Sequence, residues 1–318
     1  MVDLFREQAQ RTPTGTAIVA GSATLTYGEL DDLTDRVALY LREKGVGRED
    51  VVSIIIPRTE MMAVCSIGAL KAGATYQPLD PSYPTERLNF MMKDAGAGFL
   101  IADRELRHLV NEYDGEVLFT DEIKSIEAVG AADAKILKAA APSPSDRHIL
   151  LYTSGSTGVP KGCELCHSNL VAFIVAIQDI MHFDETSRVT AYASYGFDAN
   201  MMDMYPALTH GSTLHVIKED IRFDLDALND YFEKVGMTHA FMTTQVARAY
   251  ATSVKAPASL KHLYCGGEAL VPLDAPETYT MHNVYGPTET TVFVTQKIVD
   301  KLYHRIPIGG AVANCQIS

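Results

Sequence analysis

The sequence predicts an α/β fold in two halves, each built on a largely parallel β-sheet. Short apolar runs rich in β-branched residues, such as residues 51–56, alternate with segments whose apolar residues recur at helical spacing, such as residues 30–41. Strands separated by helices are typical of parallel sheets with helices on both faces. A proline- and serine-containing linker at residues 139–145 interrupts the alternation, which predicts halves at about residues 1–140 and 146–318.

The first half begins with two short strands around a turn at Gly21 and Ser22. The helix that follows has leucine and valine on one face, and Gly45 and Gly47 end it. Residues 51–56 are aliphatic except for one serine, as expected of a strand buried on both faces. The other elements of this half are strands at 17–19, 25–27, 75–78 and 99–101, and helices at 59–71 and 84–95.

The second half begins with an apolar strand at residues 149–152, which leads into a loop of glycines and hydroxyl residues. Beyond the loop the alternation of strands and helices resumes, which predicts a second parallel sheet. Its elements are strands at 188–193, 213–217, 239–243 and 262–265, and helices at 201–209 and 224–235.

The composition is that of a soluble globular protein with an excess of acidic residues. The 318 residues suffice for one large or two ordinary domains, and the net charge of −13 argues against a nucleic-acid partner. The first ten residues contain no signal-peptide core, and no apolar run is long enough to cross a membrane. Five scattered cysteines do not suggest a disulfide framework. We therefore expect a cytoplasmic protein without nucleic-acid or membrane partners.

The loop after the strand at 149–152 is the most informative stretch of the chain. Glycines allow a ligand to approach the backbone closely and to meet its N–H groups. Hydroxyl groups add hydrogen-bond donors, and a lysine adds a charge suited to phosphate oxygens. The loop therefore predicts polyphosphate binding by Thr153, Ser154, Gly155, Ser156, Thr157, Gly158 and Lys161.

Two better-known glycine-rich motifs do not fit this loop. The G-x-x-x-x-G-K-[ST] motif requires Gly before Lys and a hydroxyl residue after it, whereas Lys161 lies between Pro160 and Gly162. The G-x-S-x-G motif fails because Tyr152 occupies the position of its first glycine. Pro160 disfavours helix at Val159, so the loop is not expected to open directly into a helix. The alternative to a phosphate loop is a surface turn.

Cys163, Cys166 and His167 match C-x-x-C-H, the attachment signature of c-type haem. Haem attachment requires export, for which the sequence has no visible signal, and the group would compete with the phosphate loop for space. A zinc site would require a second cysteine pair, which the sequence lacks. A coincidental match is the favoured interpretation.

A second motif, residues 283–291, contains a Gly-Pro turn between an aromatic and an acidic residue. Tyr285 has a ring that can stack on a purine base, and Glu289 has oxygens that can hold Mg²⁺. The alternative is an ordinary turn before a strand, with Thr288 and Glu289 on the surface.

Together these stretches resemble the adenylate-forming superfamily, and specifically the adenylation domains of nonribosomal peptide synthetases. The segment at 70–88 resembles the amino-acid-activating branch more than the acyl-CoA synthetases. The similar segments, in the order and spacing of the family, are LTYGEL (25–30), LKAGATYQPLDPSYPTERL (70–88), YTSGSTGVPKG (152–162), FDAN (197–200), GGEAL (266–270), NVYGPTET (283–290) and IPIGGAVANCQI (306–317).

This resemblance implies the large N-terminal domain of these enzymes, with two stacked α/β subdomains. It also implies a reaction in which a carboxylate attacks the α-phosphate of ATP, giving an acyl-adenylate and pyrophosphate. The loop from Thr153 to Lys161 would shield the β- and γ-phosphates, Thr288 would contact the α-phosphate and Glu289 would hold Mg²⁺. Tyr285 would stack on adenine, and further nucleotide contacts are implied for Gly267, Glu268, Asn283 and Gly286.

The FDAN segment implies an amino-acid substrate. In amino-acid-activating relatives the Asp of this motif binds the α-ammonium group, and Asp198 matches it. A buried carboxylate needs a partner charge, which an ammonium group supplies and a simple acyl or aryl acid does not. The alternative role of Asp198 is that of a helix N-cap.

The family alignment also implies a side-chain pocket that is apolar except for one tyrosine hydroxyl. A charged substrate side chain would lack a partner there, so we expect a hydrophobic amino acid. The pocket positions fall on Ala199, Met202, Phe241, Tyr264, Gly266, Val284, Val292 and Phe293.

The resemblance further implies a phosphopantetheinyl carrier protein as partner in the full parent. The family continues into a strand-rich subdomain and a small C-terminal domain, which supply an aspartate for the ribose and a lysine for adenylate formation. We therefore expect a truncated adenylation domain that is inactive by itself. The alternatives are an acyl-CoA synthetase, a D-alanyl carrier-protein ligase and a catalytically incomplete ATP-binding remnant.

Overall fold

The computed structural model describes residues 1–153 and 160–317. The helices are α1 (Val2–Arg11), α2 (Tyr27–Glu43), α3 (Met61–Lys71), α4 (Thr85–Asp94), α5 (Ala131–Ala139), α6 (His167–Met181), α7 (Ala199–Thr209), α8 (Leu225–Val235) and α9 (Thr244–Ser253). The strands are β1 (Thr16–Ala20), β2 (Ala23–Thr26), β3 (Val51–Ile55), β4 (Thr75–Leu79), β5 (Phe99–Ala102), β6 (Val117–Phe119), β7 (Arg147–Thr153), β8 (Lys161–Cys166), β9 (Arg188–Ala191), β10 (Thr213–Val216), β11 (His239–Thr243), β12 (His262–Gly266), β13 (Thr280–Tyr285), β14 (Thr295–Ile298) and β15 (Gly310–Ala311). Short 3₁₀ helices cover Arg104–Val110, Thr120–Ser125 and Thr288–Thr290.

The chain divides into two compact units at a different place from the predicted linker. The first unit comprises Met1–Gly15, Leu25–Val171 and Tyr195–Phe197, and the second comprises Thr16–Thr24, Ala172–Ser194 and Asp198–Ser318. The predicted boundary at residues 139–145 lies inside the first unit. The reason is that β7 pairs in parallel with β4, and β8 pairs with β7, so both strands stay in the first sheet.

The sheet of the first unit has the strand order β6-β5-β3-β4-β7-β8. All of its pairs are parallel except the antiparallel pair β7–β8. Every residue of the central strand β3 is buried, as its aliphatic sequence predicts. Helix α2 begins with a capping box, in which the Thr26 hydroxyl accepts from the Glu29 N–H and the Glu29 carboxylate accepts from the Thr26 N–H.

Part of the segment at 70–88 has a structural role. The Lys71 side chain is fully buried, and its Nζ lies 2.5 Å from a carboxylate oxygen of Asp31 and 2.7 Å from one of Asp35. The ammonium group also lies over the ring of Phe5, 5.4 Å from its centre. Burial lowers the pKa of Lys71, while the two aspartates oppose that shift. This ion-pair cluster ties α3 to α2.

The second sheet has the strand order β15-β14-β13-β12-β11-β9-β10-β1-β2. The strands from β13 to β1 pair in parallel, whereas β14 and β15 continue the sheet in antiparallel fashion. The largely parallel α/β architecture is therefore confirmed. In open α/β sheets, ligands bind at the edge where the carboxyl ends of parallel strands meet. In this sheet β9, β11, β12 and β13 end at that edge.

The C-x-x-C-H sequence lies where β8 leads into α6. Cys163 is buried within the strand, and Cys166 is three residues further along, so alternation places the two thiols on opposite faces. His167 is the first residue of α6, and the centre of its ring lies 5.8 Å from the centre of the His148 ring. Within residues 1–153 and 160–317, no group of three or more His, Cys, Asp or Glu side chains is arranged to hold a metal ion.

None of the helices in the described part of the chain combines the length and apolar character required to cross a lipid bilayer.

Candidate nucleotide and amino-acid site

Four of the predicted pocket residues lie on strands of the second unit and share one face of its sheet near the carboxyl edge. Phe241 of β11 is paired in register with Tyr264 of β12, and Tyr264 is paired with His282 of β13. Because side chains alternate along a strand, Gly266 and Val284 lie on the same face, two residues closer to the carboxyl ends. The strands thus bring together four of the residues implied by the family resemblance.

Asp198 lies between β9 and α7 and occupies the N-cap position of α7, but its side chain makes no capping bond. The carboxylate lies close to the Thr288 side chain and to Glu289. Burial raises the pKa of Asp198, the neighbouring polar groups of Thr288 and Ala199 oppose that shift and Glu289 adds to it. The N-cap alternative is therefore not supported, and the environment of this carboxylate suits a cation.

Ala199 and Met202, the predicted pocket residues of α7, lie three positions apart and so share one face of the helix. Met202 is buried and Ala199 is half-buried. Because α7 starts directly after Asp198, this face of the helix begins beside the carboxylate.

Asp203, which the sequence analysis did not single out, anchors the segment that carries Asp198. Its carboxylate oxygen Oδ2 accepts hydrogen bonds from the backbone N–H of Tyr192 at 2.8 Å and of Ala193 at 3.0 Å. Asp203 is buried within α7, so it links the end of β9 to this helix on either side of the Asp198 turn. No motif marks its role, because the two donors are backbone groups.

We expect Asp203→Asn to lower the free energy of unfolding by about 1.5–3 kcal/mol, since a neutral amide replaces a charged acceptor of two buried N–H groups. Amino-acid binding should weaken as well, because the Asp198 turn loses its anchor. Urea unfolding and calorimetric titration measure the two effects. The exposed Asp230→Asn in α8 is the matched control. An Asp203 variant as stable as this control would contradict the anchoring role.

The segment after the Thr288–Thr290 turn has an unusual backbone. Thr291 and Val292 both have φ of 67°, a left-handed conformation that is strained for β-branched residues. This conformation leads to Phe293, which is buried and packs edge-on against Phe173 of α6 with ring centres 5.2 Å apart. The turn therefore fixes two predicted pocket residues, Val292 and Phe293, against the helix.

The GGEAL segment follows β12 directly. A side chain at Gly266 would approach the carbonyl oxygen of Val284 to 2.7 Å, so only glycine fits beside β13. Gly267 has a φ of +102° and open space where a side chain would be. Residues at the start of α9, which sequence reasoning missed, hold Glu268: Thr244 contacts its backbone, and the Gln245 amide donates to its carboxylate at 2.9 Å.

In the NVYGPTET segment, some residues are exposed to solvent and others are packed against neighbouring backbone. The Tyr285 ring is 52% exposed at the end of β13, so its face is accessible for stacking, and Glu289 is exposed as well. Gly286 has a packing role, because a side chain there would lie 2.4 Å from the Cα of Phe293. The Asn283 amide donates to the carbonyl of Pro307 at 3.1 Å, which holds a neighbouring loop.

The ends of the predicted phosphate loop belong to the first unit. Thr153 ends β7 and Lys161 begins β8, and the two residues are paired across this antiparallel hairpin. Lys161 is exposed. A strand, β8, follows the loop directly, in agreement with the expectation that the loop does not open into a helix. The predicted contacts of Ser154, Gly155, Ser156, Thr157 and Gly158 lie outside the described residues.

A largely parallel α/β sheet with candidate binding residues at its carboxyl edge is typical of nucleotide-binding enzyme domains. Residues 5–318 match the family described as AMP-binding enzyme. The chain belongs to this family, whose nonribosomal-synthetase members are ATP-dependent adenylate-forming ligases.

The similar curated proteins are large synthases. The chain is 34% identical over 314 residues to bacitracin synthase 1 of Bacillus licheniformis, a match that covers 99% of this chain and 6% of that protein. It is 34% identical over 315 residues to surfactin synthase subunit 1 of Bacillus subtilis (strain 168), covering 99% of this chain and 9% of that protein. The chain thus spans less than a tenth of the length of either synthase.

Solved structures of nonribosomal peptide synthetases share the fold. One is holo-AB3403, a four-domain synthetase bound to AMP and glycine, with a TM-score of 0.85, 25% identity and coverage of 98% of this chain and 23% of that chain. Another is the AMPPNP-bound form of FmoA3, with the same TM-score and identity and coverage of 98% and 34%. The predicted resemblance to adenylation domains is confirmed.

Proposed function

We propose that this chain uses ATP to activate the carboxyl group of a hydrophobic amino acid as an aminoacyl-adenylate, which the parent protein loads onto a carrier-protein thiol. The observation that carries the proposal is the environment of Asp198. This half-buried carboxylate lies beside the polar side chain of Thr288, has a second acid nearby and starts a helix whose adjoining face is apolar. A zwitterionic amino acid with an apolar side chain complements that arrangement.

The chemistry is a displacement at phosphorus. A carboxylate oxygen of the amino acid bonds to the α-phosphorus of ATP, the bond to the bridging oxygen breaks and pyrophosphate leaves with both bonding electrons. Protein groups contribute mainly by positioning the reactants and by stabilising the charge that develops on the phosphate oxygens. Asp198 would hold the ammonium group, Thr288 would contact the α-phosphate, and Thr153 and Lys161 would bind the β- and γ-phosphates.

The remaining nucleotide contacts are proposed for residues that are exposed or have open space beside them. The accessible ring of Tyr285 would stack on adenine, and the open space at Gly267 leaves room for the base beside Glu268. The packing roles of Gly286 and Asn283 make their part in nucleotide binding indirect, since each holds the backbone around Tyr285.

Mg²⁺ fits the donors that are present. This ion retains most of its waters and is usually held by one or two carboxylates together with substrate phosphates. Glu289 is an exposed carboxylate one residue from Thr288, so it would hold the ion. When bound, Mg²⁺ would neutralise part of the charge on the phosphates.

Amino-acid-dependent exchange of pyrophosphate into ATP, measured on the parent protein with a panel of amino acids, tests the proposed function. We expect leucine-sized hydrophobic amino acids to support exchange and to bind by calorimetry, whereas their deamino analogues and charged amino acids do neither. Preferred use of fatty or aryl acids would favour an acyl-CoA synthetase. Binding of ATP without binding or exchange of any amino acid would favour an ATP-binding remnant and contradict the proposal.

The raised pKa of Asp198 predicts a pH dependence of substrate binding. The ionised carboxylate binds the ammonium group, so affinity is complete above the folded-state pKa and is lost as the pH falls through it. That pKa lies above the ordinary value because burial disfavours the charged form, so the loss begins at a higher pH than for an exposed aspartate. Calorimetric titration of the amino acid from pH 8 downwards measures the effect. Asp198→Asn should remove this dependence, and an unchanged profile in that variant would contradict the assignment.

A further inference from the structure

A row of histidines extends the pocket face of the second sheet away from its carboxyl edge. His239 and His262 are paired residues of β11 and β12, and their rings stack with centres 5.0 Å apart and an angle of 15°. The His262 ring lies 5.3 Å from that of His282 on β13, and Nε2 of His282 is 3.0 Å from Nδ1 of His262. His182, just after α6, lies 6.4 Å from His262. We call these four residues the histidine row.

The histidine row supports one of the predicted pocket residues. The ring of Tyr264 stacks on that of His282, with centres 4.5 Å apart and an angle of 24°. The Tyr264 hydroxyl donates to the backbone carbonyl of Ile180 near the end of α6. Both ends of this buried side chain are therefore held, its ring by a histidine face and its hydroxyl by a helix. The Tyr264 hydroxyl is the single polar group expected in the pocket, and it is already hydrogen-bonded to the protein backbone.

Hydrogen bonds hold His282 in place and define its proton. The Gln296 amide of β14 donates to Nδ1 of His282 at 2.8 Å, so the ring proton lies on Nε2 and is donated to Nδ1 of His262. This chain of donors requires both imidazoles to be neutral. Burial, followed by the neighbouring histidines, lowers the pKa of His282 to about 3. Lys261 also opposes protonation of His262 and His239, whereas Asp184 favours protonation of His239. His239, His262 and His282 are thus uncharged near neutral pH.

The geometry points to His282 as a positioning residue that sets the depth of the side-chain pocket through the ring of Tyr264. Tyr264 and Phe241 are paired across the strands, with Gly266 and Val284 beyond them, so the Tyr264 ring lies at the end of the pocket face that is farthest from the carboxyl edge. Neither alternating strand geometry nor a hydroxyl bond alone fixes the tilt of a phenol ring, whereas a stacked neighbour does. This inference rests on the proposed function, because it concerns the selectivity of the same site.

The test compares amino acids of increasing side-chain size in the exchange assay, with every variant made in the parent protein. In His282→Ala the Tyr264 ring can tilt into the vacated space, so we expect the ratio of kcat/KM for phenylalanine to that for leucine to rise about tenfold, within the range that one or two methylene groups produce. The change should appear in KM for the amino acid, while KM for ATP stays constant. His282→Phe keeps a ring beneath Tyr264 and should restore the ratio to within about threefold of the original protein.

A further variant separates positioning from a general loss of structure. Gln296→Leu removes the bond that holds His282 without removing a ring, and should shift the ratio in the same direction as His282→Ala but less. If His282→Ala does not fold, Gln296→Leu still tests whether the position of His282 affects selectivity. His108→Ala, an exposed histidine of the first unit, is the matched control.

The outcomes distinguish this inference from the function on which it rests. If the original protein neither binds nor exchanges any amino acid, the proposed function fails and the inference fails with it. If the original protein exchanges hydrophobic amino acids but His282→Ala and Gln296→Leu both keep its selectivity ratio, His282 does not set the pocket depth. If His282→Phe changes the ratio as much as His282→Ala, stacking is not the cause.

Discussion

Asp198→Asn is expected to abolish the preference for an amino acid over its deamino analogue. The variant removes the negative charge and keeps the size of the side chain. Truncating or neutralising one partner of a desolvated charge pair costs about 2–5 kcal/mol, which corresponds to roughly 30- to 5,000-fold in affinity. The affinity of the analogue, which lacks the ammonium group, should stay constant or rise, because burying an ionised Asp198 next to it is unfavourable.

Calorimetric titration of leucine and of its deamino analogue into both proteins measures this preference. Asp274→Asn, at an exposed position of the same unit, is the control for the loss of one negative charge. ATP affinity should change much less than amino-acid affinity, because the proposed contacts of Tyr285 with adenine and of Lys161 with the β- and γ-phosphates do not involve Asp198, although Thr288 adjoins it. If the original protein binds the analogue as tightly as the amino acid, Asp198 does not bind an ammonium group.

Much of the fold could be predicted because its strands have strong local signals. The aliphatic run at residues 51–56 became β3, and the T-x-x-E sequence before α2 became its capping box. Helix α6 was missed because its sequence is apolar on nearly all sides, so it lacks the periodicity that marks an amphipathic helix. It also follows β8 without a turn residue between them. Such a helix is recognised only from its contacts in the folded structure.

The boundary between the units shows a related limit of sequence reasoning. The stretch at residues 139–145 has the composition of a linker, and it does join α5 to β7. Composition, however, does not reveal which sheet the next strand joins. The pairing of Tyr76 with Ile149 adds β7 to the first sheet, and β8 follows it through an antiparallel pairing. Long-range pairing, rather than local sequence, thus fixes the division.

The candidate site was predicted as a set of motifs, whereas its supporting residues were not. Asp198, Thr288 and Tyr285 lie in recognisable segments, and the structure places the first two next to each other. Asp203 and His282 act on a backbone turn and on a neighbouring ring, so no spacing rule reveals them. Interactions of this kind depend on register between strands and on helix placement.

Lys161→Ala is expected to weaken ATP binding by about 10- to 150-fold, since losing a charge-assisted hydrogen bond to phosphate costs about 1.5–3 kcal/mol. Lys161 suits this role because it begins β8 opposite Thr153, where both strands end at the loop, and its side chain is exposed. The chain carries a net charge of −13, so a polyphosphate can bind only where positive charge is concentrated locally. Thr157→Ala, which removes a hydroxyl of the same loop, should weaken ATP binding in the same direction.

The control for Lys161→Ala is Lys255→Ala, which removes an exposed lysine of the second unit. Titrations with ATP and with AMP then identify the part of the nucleotide that is affected. Because Lys161 is assigned to the β- and γ-phosphates, AMP affinity should change by less than about threefold and amino-acid affinity should stay constant. Lys161→Arg should recover part of the ATP affinity, since it keeps the charge but alters its geometry. Equal losses for ATP and AMP would place Lys161 at the α-phosphate, and no loss for either would show that the loop does not bind phosphate.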